Sequence, residues 1–429
     1  MAYQESLDYL YGLQKFGIKL GLENIRALLD RLGHPERAYG VIHVAGSNGK
    51  GSVCAYLDRI LREAGLRVGL YTSPHLHSFT ERIRVNGVPI EETQVAAYTE
   101  ELRKVAGSLP STFFEFTTAM ALLHFQRERV DFAVLETGMG GRLDATNAVE
   151  SPRVTVITSI CRDHAGHLGN DLATIAGEKG GIIKSGVPLV LGLQDPEADQ
   201  VLHALAREKR APVRNVGSVL GSDGDDAPLS WHGQHWELEG LHSGLLGAHQ
   251  RENLALALGA AEILAEQGEP LTPTVARAGI AKTRWPGRLE WWGGARRILL
   301  DGAHNEGGAA VLADYLRHLA PRAVRWVVGL KGDKEAAAIL SPLLPWVAEL
   351  YCTVPPVEEA VPPEILAQLG REAGRPARVF SCCAEALAAA LQGQEQQTGE
   401  IVLVAGSLFL VAAAREYLAG DGPMADPLL

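Results

Sequence analysis

Residues Ile42 to Val53, IHVAGSNGKGSV, run from an apolar strand through a glycine-rich loop into a helical pattern. A strand that is apolar on both faces must be covered on both sides, so this order predicts a layered α/β fold with a mostly parallel sheet. The loop Gly46-Ser47-Asn48-Gly49-Lys50-Gly51-Ser52 carries little side chain. Its N–H groups can therefore converge on phosphate oxygens, with a lysine and a helix amino end adding positive charge. In P-loop logic Lys50 serves the β/γ-phosphates and Ser52 a magnesium ion, although here Gly51 separates the two. The plainer reading is a Gly-rich strand-to-helix turn with an exposed lysine.

The same texture continues along the chain. Short apolar runs at Gly40 to Val44, Arg67 to Tyr71, Phe132 to Leu135, Val154 to Ile157 and Leu189 to Leu191 alternate with longer Ala/Leu/Glu segments of helical spacing. From about Ala211 to His242 alternating residues predict a small antiparallel patch, and helical pattern returns from Ala248 to Gln267. The Pro/Gly break in TRWPGRLEWW precedes a second strand and helix alternation that starts at Arg297 to Leu300. This predicts a large first domain, residues 1–287, and a smaller α/β Rossmann-like domain, residues 288–429. Ile401 to Ala414 is apolar but shorter than the ~20 residues a bilayer helix needs, so it reads as a buried strand, turn and helix start.

Composition narrows the classes. The 429 residues carry 40 Lys+Arg against 51 Asp+Glu, a net charge of −11, which argues against nucleic acid or an anionic membrane as partner. Anionic small substrates met at a local positive site remain compatible. The five cysteines, Cys54, Cys161, Cys352, Cys382 and Cys383, fit neither a disulfide framework nor zinc spacing, so a reducing cytosol is expected. MAYQESLDYL lacks a signal-peptide core, and we expect a cytoplasmic monomer.

Other motifs gather at strand ends. Glu136 closes the run DFAVL, where α/β sheets collect ligands, with Arg142 and Asp144 on the Gly-rich loop beyond it. A carboxylate there can ligate magnesium; it can equally end a strand in a solvated turn. Asp163-His164 follow VTVITSI, and Lys179 lies in the helical stretch before Gly180. His164 suits a divalent ion as a neutral imidazole or makes a plain polar contact. A lysine near a metal and phosphates must pair or lose its charge, whereas on a helix surface it simply pairs with an acid. YTSPHL places Ser73 and His75 after a strand, with Ser73 a second hydroxyl for magnesium or a helix cap, and FFEFTTAMA begins a helix. Asn253 in HQRENLALA, Arg288 in WPGRLE, and Asp301 and His304 in LLDGAHNEGG are candidates to close onto a nucleotide or to form structural contacts.

Taken in order, FGIKLGLENI, HVAGSNGKGS, YTSPHL, ERIRVNG, FEFTTA, ETGMGGRLDATN, DHAGHLG, EKGGIIK, HQRENLALA, WPGRLE, LDGAHN and GSLFLV resemble the folylpolyglutamate and dihydrofolate synthase family, within the wider Mur-ligase-like enzymes. The resemblance implies two ligands, ATP and Mg²⁺, the latter at two sites. Gly46, Asn48, Gly49, Lys50, Gly51 and Ser52 would hold phosphates, with Asn253, Arg288, Asp301 and His304 on the nucleotide. Ser52, Ser73 and Glu136 would hold one Mg²⁺; Glu136, His164 and Lys179 would bound a second, Lys179 as a carbamate. Lys50, Lys179 and His164 would be the catalytic set. Phe114, Phe116, Thr117, Arg142 and Asp144 would line the pterin or pteroate pocket. Departures from the family pattern are Ser47 for threonine, Gly180 for alanine, which is expected to loosen the helix after Lys179, and VPPVEEAVPPE, without the usual Pro-Arg-Ala.

The implied reaction is ATP-driven joining of L-glutamate to a folate or dihydropteroate carboxylate through an acyl phosphate, with His304 or Asp301 as base. A cell-wall Mur ligase shares the chemistry but normally has a further domain for a UDP group, and about 40 residues precede the loop here. An ATP-gated binding protein without catalysis leaves Glu136, His164 and Lys179 unexplained as a set.

Overall fold

The computed structural model describes residues 2–13, 21–161, 169, 171–221, 224–225, 227–293, 297–332, 334–392 and 399–420. Its contacts divide the chain into two units. The first comprises residues 1–221, 228–244 and 250–283, and the second 222–227, 245–249 and 284–429.

The strands of the first unit are β1 (Gly40–Ala45), β2 (Val68–Tyr71), β3 (Ile83–Val85), β4 (Val88–Pro89), β5 (Phe132–Glu136), β6 (Val154–Ile157), β7 (Leu189–Leu191), β8 (Val213–Asn215), β9 (Leu220–Gly221), β10 (Leu229–His232) and β11 (Glu237–Leu241). The first eight form one sheet in the order β4-β3-β2-β5-β1-β6-β7-β8. From β2 to β8 every pairing is parallel, while β3 and β4 add an antiparallel hairpin at one edge. All five residues of β5 and the last five of β1 are buried, as the lack of inside/outside alternation requires for strands covered on both faces.

The antiparallel patch is β9 to β11, and it begins later than the sequence suggests, because Val213–Asn215 continues the parallel sheet beside β7. The β3–β4 hairpin, around Asn86 and Gly87, was not anticipated. Both turn residues take positive φ, 52° and 78°, the geometry of a tight hairpin turn.

Helices flank the sheet with recognisable caps. Thr112 and Glu115 cap Phe113–Arg127 reciprocally: Thr112 Oγ1 accepts from Glu115 N at 3.3 Å and Glu115 Oε2 accepts from Thr112 N at 2.8 Å. Asp195 caps Pro196–Lys209, with proline at its first position. Gly180 is the last residue of the helix Leu172–Gly180. A Cβ there would lie 2.5 Å from Leu205 Cδ1, so its absence lets the helix Leu172–Gly180 pack closely on Pro196–Lys209.

The second unit has a six-stranded sheet of β12 (Glu290–Trp292), β13 (Ile298–Asp301), β14 (Ala323–Val328), β15 (Val347–Cys352), β16 (Ala377–Val379) and β17 (Glu400–Ala405), ordered β12-β13-β17-β14-β15-β16. Only β12 is antiparallel to its neighbour. Trp326, Leu350 and Leu403 are wholly buried in its core. The apolar run from Ile401 divides into β17 and the helix Leu408–Ala419. Among the described residues no helix is long and apolar enough to cross a membrane.

Candidate active site

Register places the chemistry at one end of the first sheet. Val44 pairs with Glu136, Tyr71 with Leu135 and Ala45 with Ile157, so β2, β5, β1 and β6 finish side by side. Ser73, Glu136, Gly46 and Thr158 therefore leave the sheet together, at the carboxyl ends where such sheets bind ligands.

The loop after β1 depends on two glycines. Gly46 has φ +146°, and a Cβ there would stand 1.8 Å from Thr158 Oγ1. Gly49, at φ +86°, begins the helix Lys50–Glu63, and a Cβ on it would reach 2.1 Å from Asn253 Oδ1. Neither position tolerates a side chain. Thr158 Oγ1 donates to Asn48 O at 2.6 Å, and Ser47 Oγ both donates to Cys161 O at 2.9 Å and accepts from Cys161 N at 3.1 Å. The hydroxyl at Ser47 thus ties the loop to the segment after β6.

Two lysines converge on that loop. Lys50 Nζ donates to Gly46 O at 3.0 Å and to Ser47 O at 3.1 Å, while Lys179 Nζ donates to the same Gly46 O at 2.8 Å. Lys179 is only 2% exposed. Two ammonium groups sharing one carbonyl repel each other, so the arrangement favours negative charge beside it.

The hydroxyl and carboxylate candidates form the next layer. Ser52, buried, accepts from Gln250 Nε2 at 3.3 Å, and Gln250 Oε1 accepts from Asn253 Nδ2 at 3.0 Å. Gln250 was missed in the sequence although it lies three residues before Asn253 on the same helix face. Glu136 is buried and its Oε2 accepts from Ser73 N at 3.2 Å. Burial, then the Glu136 charge, pushes the Cys54 thiol well above its usual range, and this effect places Cys54 in the same electrostatic neighbourhood. Asp163 and His164 lie outside the described residues. Among those described, no three His, Cys, Asp or Glu side chains gather into a metal cluster.

The expected acceptor residues divide by burial. Phe116 and Thr117 are fully buried in the core, Thr117 Oγ1 lying 3.0 Å from Tyr71 Oη. Phe114 is half-buried and lies against Gly138, where a Cβ would stand 2.5 Å from its Cζ. Arg142 is bound to Glu178 at 2.7 Å. Asp144, buried, accepts from Gly138 N and Met139 N at 2.9 Å through Oδ2, and from Thr146 N at 3.0 Å and Thr146 Oγ1 at 2.5 Å through Oδ1. Burial nevertheless raises its carboxyl above the ordinary range. Because Thr146 gives its proton to Asp144, His43 Nε2, 2.8 Å away, must donate to Thr146 Oγ1. His43 Nδ1 is left without a partner, and burial lowers the imidazole to about 3.

Arg82, unassigned by the sequence despite lying in ERIRVNG, stands beside Ser73. Its carbonyl accepts from Thr72 N at 3.0 Å. The residue is 9% exposed, and its guanidinium donates from Nε to His75 Nδ1 at 2.8 Å and lies 5.3 Å from the Phe113 ring centre. No carboxylate among the described residues pairs with it. Glu81, its neighbour, already accepts from the backbone of Leu76, His77 and Ser78. A cation–π contact contributes about 1–2 kcal/mol. Desolvating the ion costs several.

In the second unit the β12–β13 pair sets Arg288 near Asp301. A Cβ on Gly302 would stand 2.3 Å from Arg288 Nη1. Asp301 accepts from Leu289 N at 2.9 Å and from Ala303 N at 2.8 Å, and burial raises its carboxyl, with Arg288 opposing. His304 Nδ1 lies 2.8 Å from Gly302 O, so Nδ1 carries a hydrogen.

Residues 44–261 match the Mur ligase middle domain, and residues 287–408 match the Mur ligase, glutamate ligase domain. The dihydrofolate synthase/folylpolyglutamate synthase of Bacillus subtilis is 41% identical over 329 residues, 74% of this chain and 76% of that protein. The folylpolyglutamate synthase of Lacticaseibacillus casei is 35% identical over 441 residues, covering 98% of this chain and 99% of its own. The solved structure of Mycobacterium tuberculosis folylpolyglutamate synthase complexed with ADP is 34% identical, with a TM-score of 0.88, and the match covers 98% of this chain and 100% of that one.

Proposed function

The chain belongs to the folylpolyglutamate and dihydrofolate synthase family, and from that premise we propose that it is an ATP-dependent ligase joining L-glutamate to a folate or dihydropteroate carboxylate. The observation that carries the reading is the meeting of Lys50 and Lys179 on the Gly46 carbonyl, within a loop that leaves no room for side chains at Gly46 and Gly49.

In the first half-reaction an acceptor carboxylate oxygen attacks the γ-phosphorus of ATP, the bond to the bridging oxygen breaks, and ADP leaves an acyl phosphate. In the second, the glutamate nitrogen attacks the acyl carbon, the C–O bond to phosphate breaks, and the nitrogen gives up a proton. Loop residues Gly46 to Ser52 and Lys50 position and neutralise the phosphates; Asn253, Arg288, Asp301 and His304 are the proposed nucleotide contacts. His304 or Asp301 is the proposed proton acceptor; the Asp301 oxygens accept two backbone N–H groups.

The donors fit Mg²⁺, since Ser52 and Ser73 hydroxyls and the buried Glu136 carboxylate are hard oxygen ligands. A second ion would be bounded by Glu136, His164 and a Lys179 carbamate; bound, these ions supply charge neutralisation for phosphoryl transfer. A neutral Lys179 amine is what carbon dioxide captures. Phe114, Phe116, Thr117, Arg142 and Asp144 serve the pterin side, where the buried members fix the shape of the wall.

The test is ADP release in the presence of ATP, Mg²⁺, labelled glutamate and either dihydropteroate or tetrahydrofolate. Release that requires both glutamate and an acceptor is expected, with mass spectrometry giving the number of glutamates added. ADP release indifferent to both would sink the ligase reading.

A further inference from the structure

We propose that Arg82 receives the carboxylate of the acceptor, the group that is to be activated. This deepens the ligase reading and rests on it. Arg82 closes the short helical turn Phe79–Arg82, and Ile83, which follows, pairs with Tyr71. It therefore lies at the carboxyl end of β2, beside Ser73 and within electrostatic range of Glu136.

The guanidinium is held, and no carboxylate among the described residues bonds to it, although the Glu136 and Glu81 charges act on it from further away. Its Nε is committed to His75, and since that bond requires a bare Nδ1, His75 is a neutral acceptor. Phe113 supports one face of the cation, and Tyr11 stacks on Phe113 with ring centres 5.8 Å apart. The two Nη groups have no hydrogen-bond acceptor among the described residues. A rigid fork of donors, buried beside an aromatic wall and near a strand-end carboxylate, matches a planar carboxylate carried on an aromatic group. ATP phosphates have their own cradle at Gly46 to Lys50.

The experiment compares binding of dihydropteroate with that of its primary carboxamide, which keeps shape but lacks charge. Wild-type protein is expected to prefer the carboxylate strongly. In Arg82→Met, which preserves contact with Phe113, that preference should fall about 100-fold, the scale for removing one partner of a buried charge pair. Carboxamide affinity and the KM for ATP should stay within about threefold. Arg82→Lys, with a point charge in place of the fork, should keep part of the preference, and it carries the test if the methionine variant does not fold. Retention of the full preference in either variant, equal weakening of both ligands, or a rise confined to the KM for ATP would overturn the assignment. The readout is binding, so it stands apart from turnover: wild-type protein without glutamate-dependent ADP release defeats the ligase reading whatever Arg82 does.

Discussion

Arg82 and Arg415 are the same device used in two ways. Both residues are buried, 9% and 2% exposed, and both guanidiniums lie 5.3 Å from an aromatic ring centre, Phe113 for one and Trp292 for the other. Arg415, in the second unit, is bonded to the Glu290 carboxylate, whose other oxygen accepts from Gly287 N at 2.8 Å. Arg82, in the first, has a neutral histidine instead. A buried cation that brings its own anion is complete in the folded chain, whereas one without it keeps an unsatisfied demand for negative charge at a particular place. The difference separates a structural arginine from a binding one more sharply than burial does.

The comparison can be broken most directly at Arg415. Arg415→Met strands the Glu290 carboxylate, and breaking a buried pair from one side costs about 3–5 kcal/mol. Urea unfolding should report a loss of that order, with turnover per folded molecule unaltered. Adding Glu290→Gln should restore much of it, because the stranded charge goes too. A single variant as stable as wild type would remove the contrast with Arg82.

Lys179 offers a third buried cation, resting on the Gly46 carbonyl. If its role is chemical, Lys179→Ala should lower kcat by about 10²–10³-fold, the scale for losing one preorganised charged contact at a reacting group. Thermal unfolding should move by only a few degrees. Strong destabilisation with turnover intact would place it with Arg415 among structural cations and remove the carbamate proposal.

Much of this site was legible in the sequence because backbone chemistry writes it locally. Gly46 and Gly49 are demanded by positive φ and close approach, and Glu136 by its place at the end of an apolar run. The edge hairpin Ile83–Pro89 was hidden because its strands are too short to show a period. Arg82 was hidden for a different reason: its meaning lies in having no carboxylate bonded to it among the described residues, and that leaves no mark along the chain. Asp144 shows the converse. As a charged residue in a Gly-rich loop it reads as a ligand contact, and the folded loop turns four hydrogen bonds from Gly138, Met139 and Thr146 onto its two oxygens. Sequence specified the residue type and the loop, but how many donors that loop would turn inward depended on its folded path.

His43 meets burial by the remaining route, which is to stay uncharged. Its imidazole is lowered to about 3, chiefly by burial and then by the Lys184 charge, against an unfolded value of about 6.5. Between those values the unfolded chain binds a proton that the folded chain refuses. Its contribution to stability is therefore complete above about pH 6.5 and declines as pH falls, by about 1.4 kcal/mol per pH unit across the window. Asp144, raised by burial, works in the opposite sense in acid, since its folded form binds a proton more readily. His43→Gln keeps a donor for Thr146 and removes the titration, so comparing the variant with wild type cancels the Asp144 contribution. Urea unfolding from pH 6 to pH 4 should show a shallower fall for the variant. Parallel curves would mean that His43 accepts its proton in the folded chain, at the Nδ1 that has no partner.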